Sequence, residues 1–190
     1  MNTWTAADHP RGYGGRFKTK THTEPEGGLG SEPVSTPKTF PGGVIEWQTP
    51  TGKLHRIDGP AFVGPDDTQE WWLHGQRHRT DGPAIIRPDG SRQWWVNGRK
   101  HRTDGPAVTW SDGSQEWWLY DYRHRDDGPA VTWSDGSEEW WRDGERHRTD
   151  GPATTPPGGK LEWWEHGKRK PREVEAALTM LWHARTPSEA

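Results

Sequence analysis

A 23-residue period constrains this chain more than any other feature. The phrase Gln93-Trp-Trp-Val-Asn-Gly-Arg-Lys-His-Arg-Thr-Asp-Gly-Pro-Ala107 recurs with its histidine at His55, His78, His101, His124 and His147, and the spacing never slips. A fixed period of this size specifies small supersecondary units stacked on one another, not one globular core. Leu, Ile, Val and Phe supply only 21 of the 190 residues, a fraction typical of disordered chains. The 15 tryptophans and a net charge of only -3 argue against disorder. An array also needs no thick core, because each unit buries its faces against its neighbours.

Each copy carries two turn signals. One is Asp-Gly or a near equivalent, at Gly42-Gly43, Asp66-Asp67, Asp89-Gly90, Asp112-Gly113, Asp135-Gly136 and Gly158-Gly159. The other ends in Gly75, Gly98, Gly144 or Gly167, with Asp121 substituting in the fourth unit. Both favour a positive φ, and short Trp- and Val-bearing runs separate them, which predicts a string of β-hairpins. The first unit has one extra residue before Gly52, so a longer turn is expected there. The predicted fold is all-β: an elongated single-layer array of about six 23-residue antiparallel hairpin repeats, closed by a C-terminal capping helix.

Boundaries follow from composition. Residues 1–37 mix Gly and Pro with almost no apolar periodicity and read as a disordered tail. The array occupies 38–170 and the helix 171–185, with Val174, Ala177, Leu178, Leu181 and Trp182 on the face predicted to close the sheet edge. Residues 186–190 read as a disordered end.

A two-residue turn at Asn97-Gly98 sets Val96 opposite Arg99, Trp95 opposite Lys100, Trp94 opposite His101 and Gln93 opposite Arg102. In the other copies the second Trp faces a base each time: Trp72 with Arg77, Trp118 with Arg123, Trp141 with Arg146 and Trp164 with Arg169. The outer pairs become Glu70 with Arg79, Glu116 with Arg125 and Glu139 with Arg148. One face of the hairpins is then a Trp-cation-carboxylate lattice, expected to point outward. The other, carrying Trp94 and His101, is expected to pack inward against Ala107 and Val108, with each His bonded to backbone or to the Asp three residues on. Asp-Gly-Pro-Ala reads as a corner in which Asp closes the turn, Gly takes a left-handed angle and Pro starts the next strand.

These positions argue against several chemistries. Equivalent histidines should lie about 10 Å apart, too far to share a metal ion, and one His with one Asp leaves a zinc site incomplete. The same residues in every rung do not make the unlike constellation that acid-base catalysis needs, and there is no Gly-rich phosphate loop. No catalytic residue, metal or cofactor is therefore predicted. Without cysteine there is no disulfide framework, thiolate metal site or cysteine nucleophile. Balanced charge predicts no nucleic-acid partner, and no apolar run approaches a signal peptide or a membrane span, so a cytoplasmic location is expected.

The pattern Trp-x-x-Gly-x-x-His, followed by a Gly-bearing segment and Asp-Gly at this period, resembles the MORN (membrane occupation and recognition nexus) repeat over roughly residues 38–169. It departs from that repeat in carrying Arg-x-Asp-Gly-Pro-Ala where MORN units carry Gly-x-Gly after the His. The resemblance implies hairpin units and a non-catalytic role in protein assembly, sometimes at membranes; related repeats occur in bacterial antitoxin-like proteins. In the tail, His9-Pro10-Arg11 followed by Gly15-Arg16-Phe17 resembles a short segment of actinobacterial phage and prophage proteins, which would place the chain in the host cytoplasm. The expected function is a scaffold binding a protein partner through Trp72, Trp95, Trp118, Trp141 and Trp164 with Arg77, Lys100, Arg123, Arg146 and Arg169. Two alternatives stand beside it: a small-ligand sequestering or antitoxin-like inhibitor, and a structural virion or assembly component.

Overall fold

The computed structural model describes residues 32–185, and the array lies wholly within the unit that begins at Pro33. The expectations for residues 1–31 and 186–190, including the His9 to Phe17 segment, lie outside the described residues. What is described is an all-β array of antiparallel hairpins with one C-terminal helix, Arg172–Arg185. An 11-stranded antiparallel sheet runs through all the repeats, from Thr36–Thr39 at one edge to Thr154–Thr155 at the other.

Each repeat contributes two hairpins. The first enters the main sheet, as with Ile85–Ile86 and Arg92–Gln93, and its outer strand pairs with Val108–Thr109 of the next repeat. Its turn is a three-residue loop. Arg87 N donates to Ser91 O, Gly90 N donates to Arg87 O, and Gly90 takes a φ of 92°. Asp89 locks the loop by accepting the Ser91 amide proton at 2.8 Å, an Asx turn that also lowers the Asp89 pKa.

The second hairpin is the ribbon predicted from Asn97-Gly98. Val96 pairs with Arg99 and Trp95 with Lys100, and the turn residues sit at φ 49° and 74°. Two consecutive positive angles make the type I′ turn whose twist suits a hairpin. The fourth repeat reaches the same geometry without glycine, at Tyr120 (49°) and Asp121 (69°). In the first repeat the turn is longer, closed by Gly52 N to Thr49 O at 2.9 Å, and only the isolated bridge from Gln48 to Leu54 follows.

The predicted ribbon is shorter than its arithmetic allowed. His101 N still donates to Trp94 O, but Trp94 N donates to Ala107 O, so the chain switches partners at Trp94. Gln93 therefore belongs to the main sheet, between Ile85 and Val108, and does not face Arg102. Directly opposed residues share a face, so Ile85, Gln93, Val108, Glu116, Val131 and Glu139 line one side of the sheet. Ile85, Val108 and Val131 are buried there, and Ala61, Ala84, Ala107, Ala130 and Ala153 are fully buried at the start of each return strand. Successive second hairpins are joined as well: Arg79 N donates to Trp95 O and Gly98 N to Arg77 O.

Candidate functional site

The residues singled out by the repeat form a ladder along the second hairpins. The Arg77 guanidinium lies 4.8 Å from the Trp72 ring centroid and 5.3 Å from that of Trp95 in the next repeat. Lys100 lies between Trp95 (5.7 Å) and Trp118 (4.5 Å), Arg123 between Trp118 (5.1 Å) and Trp141 (5.4 Å), and Arg146 between Trp141 (5.1 Å) and Trp164 (5.4 Å). Each of these cations thus bridges two repeats. Arg169 pairs with Trp164 in register but turns its guanidinium to Glu162 and Glu175.

The carboxylate end of the ladder is partly to fully buried, most deeply at Glu116. Glu70, Glu116, Glu139 and Glu162 each accept a hydrogen bond from the indole Nε1 of the second Trp two residues on. Glu116, only 5 % exposed, also takes the Trp110 indole at 3.0 Å and Arg123 at 3.1 Å. The expected pairing of Glu70, Glu116 and Glu139 with Arg79, Arg125 and Arg148 does not form. The switch at Trp94 and its equivalents carries the Glu into the main sheet, where Arg77, Arg123 and Arg146 of the ribbon reach it instead. The lattice is consequently not an outward face. Its carboxylates share the sheet face of Val108 and Val131, while the indoles are half-buried and the guanidinium side chains, 26–34 % exposed, reach the rim.

The arginine after each histidine makes a different unit. The Arg102 guanidinium lies 4.0 Å from the Trp94 centroid, donates from Nε to Asp104 at 2.8 Å and from a terminal nitrogen to the Pro106 carbonyl at 3.3 Å. Arg56, Arg79, Arg125 and Arg148 repeat this on Trp47, Trp71, Trp117 and Trp140. The donated hydrogen bond holds the carboxyls of Asp58, Asp81, Asp104 and Asp127 below their usual pKa. The corner glycine does not take the predicted left-handed angle. A Cβ at Gly105 would come within 3.1 Å of Arg102 Cζ, and one at Gly128 within 2.8 Å of Arg125 Cζ, so a larger residue at the corner would have to push the guanidinium off its tryptophan.

The histidines bond backbone, not the Asp three residues on, which the arginine has taken. Nδ1 of His55 and His147 accepts the amide proton of the turn residue in the next repeat, His74 and His166, at 3.1 and 3.2 Å, and Nδ1 of His78 and His124 meets both the amide and the side-chain Oδ1 of Asn97 and Asp143, the oxygens at 2.8 and 3.0 Å. His101 stacks on Tyr120 with centroids 3.9 Å apart. Backbone bonding was one of the two expected options; that the partner is the turn of the next repeat was not read from the sequence, although the 19-residue spacing from His to turn is constant.

At the C-terminal end the helix closes the array through a face rotated from the expected one, which keeps Trp182 and the half-buried Leu178 and adds Glu175 and Thr179. Glu175, 2 % exposed, accepts from the Trp163 amide and the Arg169 guanidinium and lies 3.6 Å from Lys160; Arg169 holds its carboxyl below the usual range. Trp163 Nε1 donates to Thr179, and Trp182 meets Trp163 edge-on. Val174 and Leu181, predicted to dock, are 43 % and 57 % exposed. No helix among the described residues is long and apolar enough to cross a membrane.

The fold and the ladder define a class, the β-hairpin repeat arrays. No protein-family model matches the chain and no curated protein is significantly similar to it.

Proposed function

We propose that the chain is a non-enzymatic repeat scaffold that binds a protein partner along the rim of the ladder. The carrying observation is the unbroken order Trp72, Arg77, Trp95, Lys100, Trp118, Arg123, Trp141, Arg146, Trp164, half-buried and repeating about every 10 Å as two strands per repeat dictate. Tryptophan and arginine dominate the energetics of protein interfaces, and a rigid row of them loses little entropy on binding. The resemblance to MORN units supports the same reading, as assembly is what such arrays commonly serve. The repeated His, Asp and Glu side chains are spent on internal bonds, which fits a scaffold better than an acid-base catalyst.

Replacing Trp95 or Trp118 would be a poor test, since their indoles satisfy the buried Gln93 and Glu116. Arg77→Gln with Arg146→Gln keeps a donor for Glu70 and Glu139 while removing two rim charges. In affinity capture from the native host, the double variant should lose a partner that the parent retains, with its thermal melt shifted by only a few degrees. Undiminished capture by a well-folded double variant would overturn the assignment of the ladder.

A further inference from the structure

The ladder has one rung unlike the rest. Arg77 meets Glu70; Arg123 meets Glu116 and Glu139; Arg146 meets Glu139 and Glu162; Arg169 meets Glu162 and Glu175. In the middle repeat Gln93 stands in place of the Glu, and Lys100 in place of the Arg. The Lys100 ammonium, held between Trp95 and Trp118, meets no carboxylate within ion-pair distance among the described residues. Asp121 Oδ1 accepts the Lys100 backbone amide proton, not the ammonium, and Glu116, the carboxylate of the next rung, is taken by Trp110, Trp118 and Arg123. Gln93, 6 % exposed, accepts the Trp95 indole on Oε1, and its amide nitrogen has no acceptor among the described residues. The rungs of Arg77, Arg123, Arg146 and Arg169 each pair a guanidinium with at least one carboxylate, whereas this one sets an ammonium beside an amide and makes no ion pair among the described residues.

We infer that the Gln93–Lys100 rung is the point at which the ladder takes a carboxylate side chain from an acidic segment of its protein partner. The carboxylate would accept from Lys100 Nζ and Gln93 Nε2 and complete the pattern that Glu completes elsewhere. The half-buried indoles on either side limit solvent around the ion pair, which strengthens it relative to an open surface pair. This inference rests on the scaffold reading and adds the chemistry of the partner.

The test uses the full chain and a short Glu-rich peptide capped at both ends, with the Gln-rich equivalent and inorganic phosphate as controls. Binding is read from the indole N–H resonances of Trp95 and Trp118. The Glu-rich peptide should shift both signals, whereas the controls should not. Gln93→Glu supplies the missing carboxylate from within, so it should weaken peptide binding about tenfold or more, the equivalent of one strong charged contact. Its melting temperature should be unchanged or raised, because Glu is what the other repeats carry there. Lys100→Gln should abolish the shifts. Equal response to the Gln-rich peptide, a response to phosphate alone, no response to the Glu-rich peptide, or full binding by Gln93→Glu would each overturn the inference. A host partner lost by the Arg77/Arg146 variant yet kept by Gln93→Glu would overturn this inference while leaving the scaffold reading intact.

Discussion

At the residue scale, the repeat spends its most distinctive side chains on each other. Arg125 lies between Trp117 and Gly128, held by Asp127 and the Pro129 carbonyl, so a Cβ at residue 128 can be accommodated only by moving the guanidinium off these partners. Gly128→Ala should therefore destabilise the chain by about 1 kcal/mol, the size of one lost cation-π contact with its hydrogen bonds. In the Arg125→Ala background the same change should be neutral or slightly stabilising, since alanine then costs only less chain entropy than glycine. Urea melts of the four-protein cycle check this; equal losses in both backgrounds would mean that the glycine serves the backbone. The turn at Asn97-Gly98 was legible in the sequence because its demand for positive φ is local. The role of Gly128 was not, because its cause is a side chain three residues upstream. The signal was nevertheless present in the fixed Arg-x-x-Gly spacing from Arg56 and Gly59 to Arg148 and Gly151.

At the scale of the element, pattern located the pieces and misjudged their faces. The second hairpins have the predicted register because turn type fixes it, while the outer pair failed because a two-residue strand can change partners at Trp94 and redirect everything beyond it. The helix shows the same limit. Its periodicity was legible, but the end of the array presents the Trp163 amide, the Trp163 indole and Arg169, and these rotate the helix so that Glu175 and Thr179 dock beside Trp182 while Val174 and Leu181 stay exposed. Glu175→Gln should cost about 1–3 kcal/mol, as expected for buried hydrogen bonds to a charged group. Leu181→Ser should stay within about 0.5 kcal/mol, as for a surface change. Thermal melts of the two variants decide between the docked faces, and the reverse ranking would restore the apolar one. Because the Glu175 carboxyl is depressed in the folded state, its contribution is present above about pH 4.3 and lost as pH falls through its folded pKa. The acid limb of the stability curve should accordingly be flatter in Glu175→Gln.

For the whole molecule, stability is a matter of junctions, since each repeat bonds mainly to its neighbours. Between His147 and the last hairpin the junction consists of Arg148 N to Trp164 O, Gly167 N to Arg146 O, and the His166 amide on His147 Nδ1. Nδ1 can accept that proton only while it carries none itself. Burial first, then the neighbouring charges of His166 and Arg142, lowers the His147 pKa against the opposing pull of Glu165 and Glu145. A histidine depressed on folding binds more protons when unfolded. Its junction is thus at full strength above the unfolded value of about 6.5 and weakens as pH falls from there toward the folded pKa. Hydrogen exchange of the His166 amide, corrected for the intrinsic pH dependence, should show protection falling between pH 7.5 and 5.5. His147→Asn offers a side-chain oxygen that accepts the same amide and does not titrate, so its protection should hold level across that range. An equal fall in His147→Asn would assign the acid sensitivity to other groups and leave the staple as a hydrogen bond without a pH role.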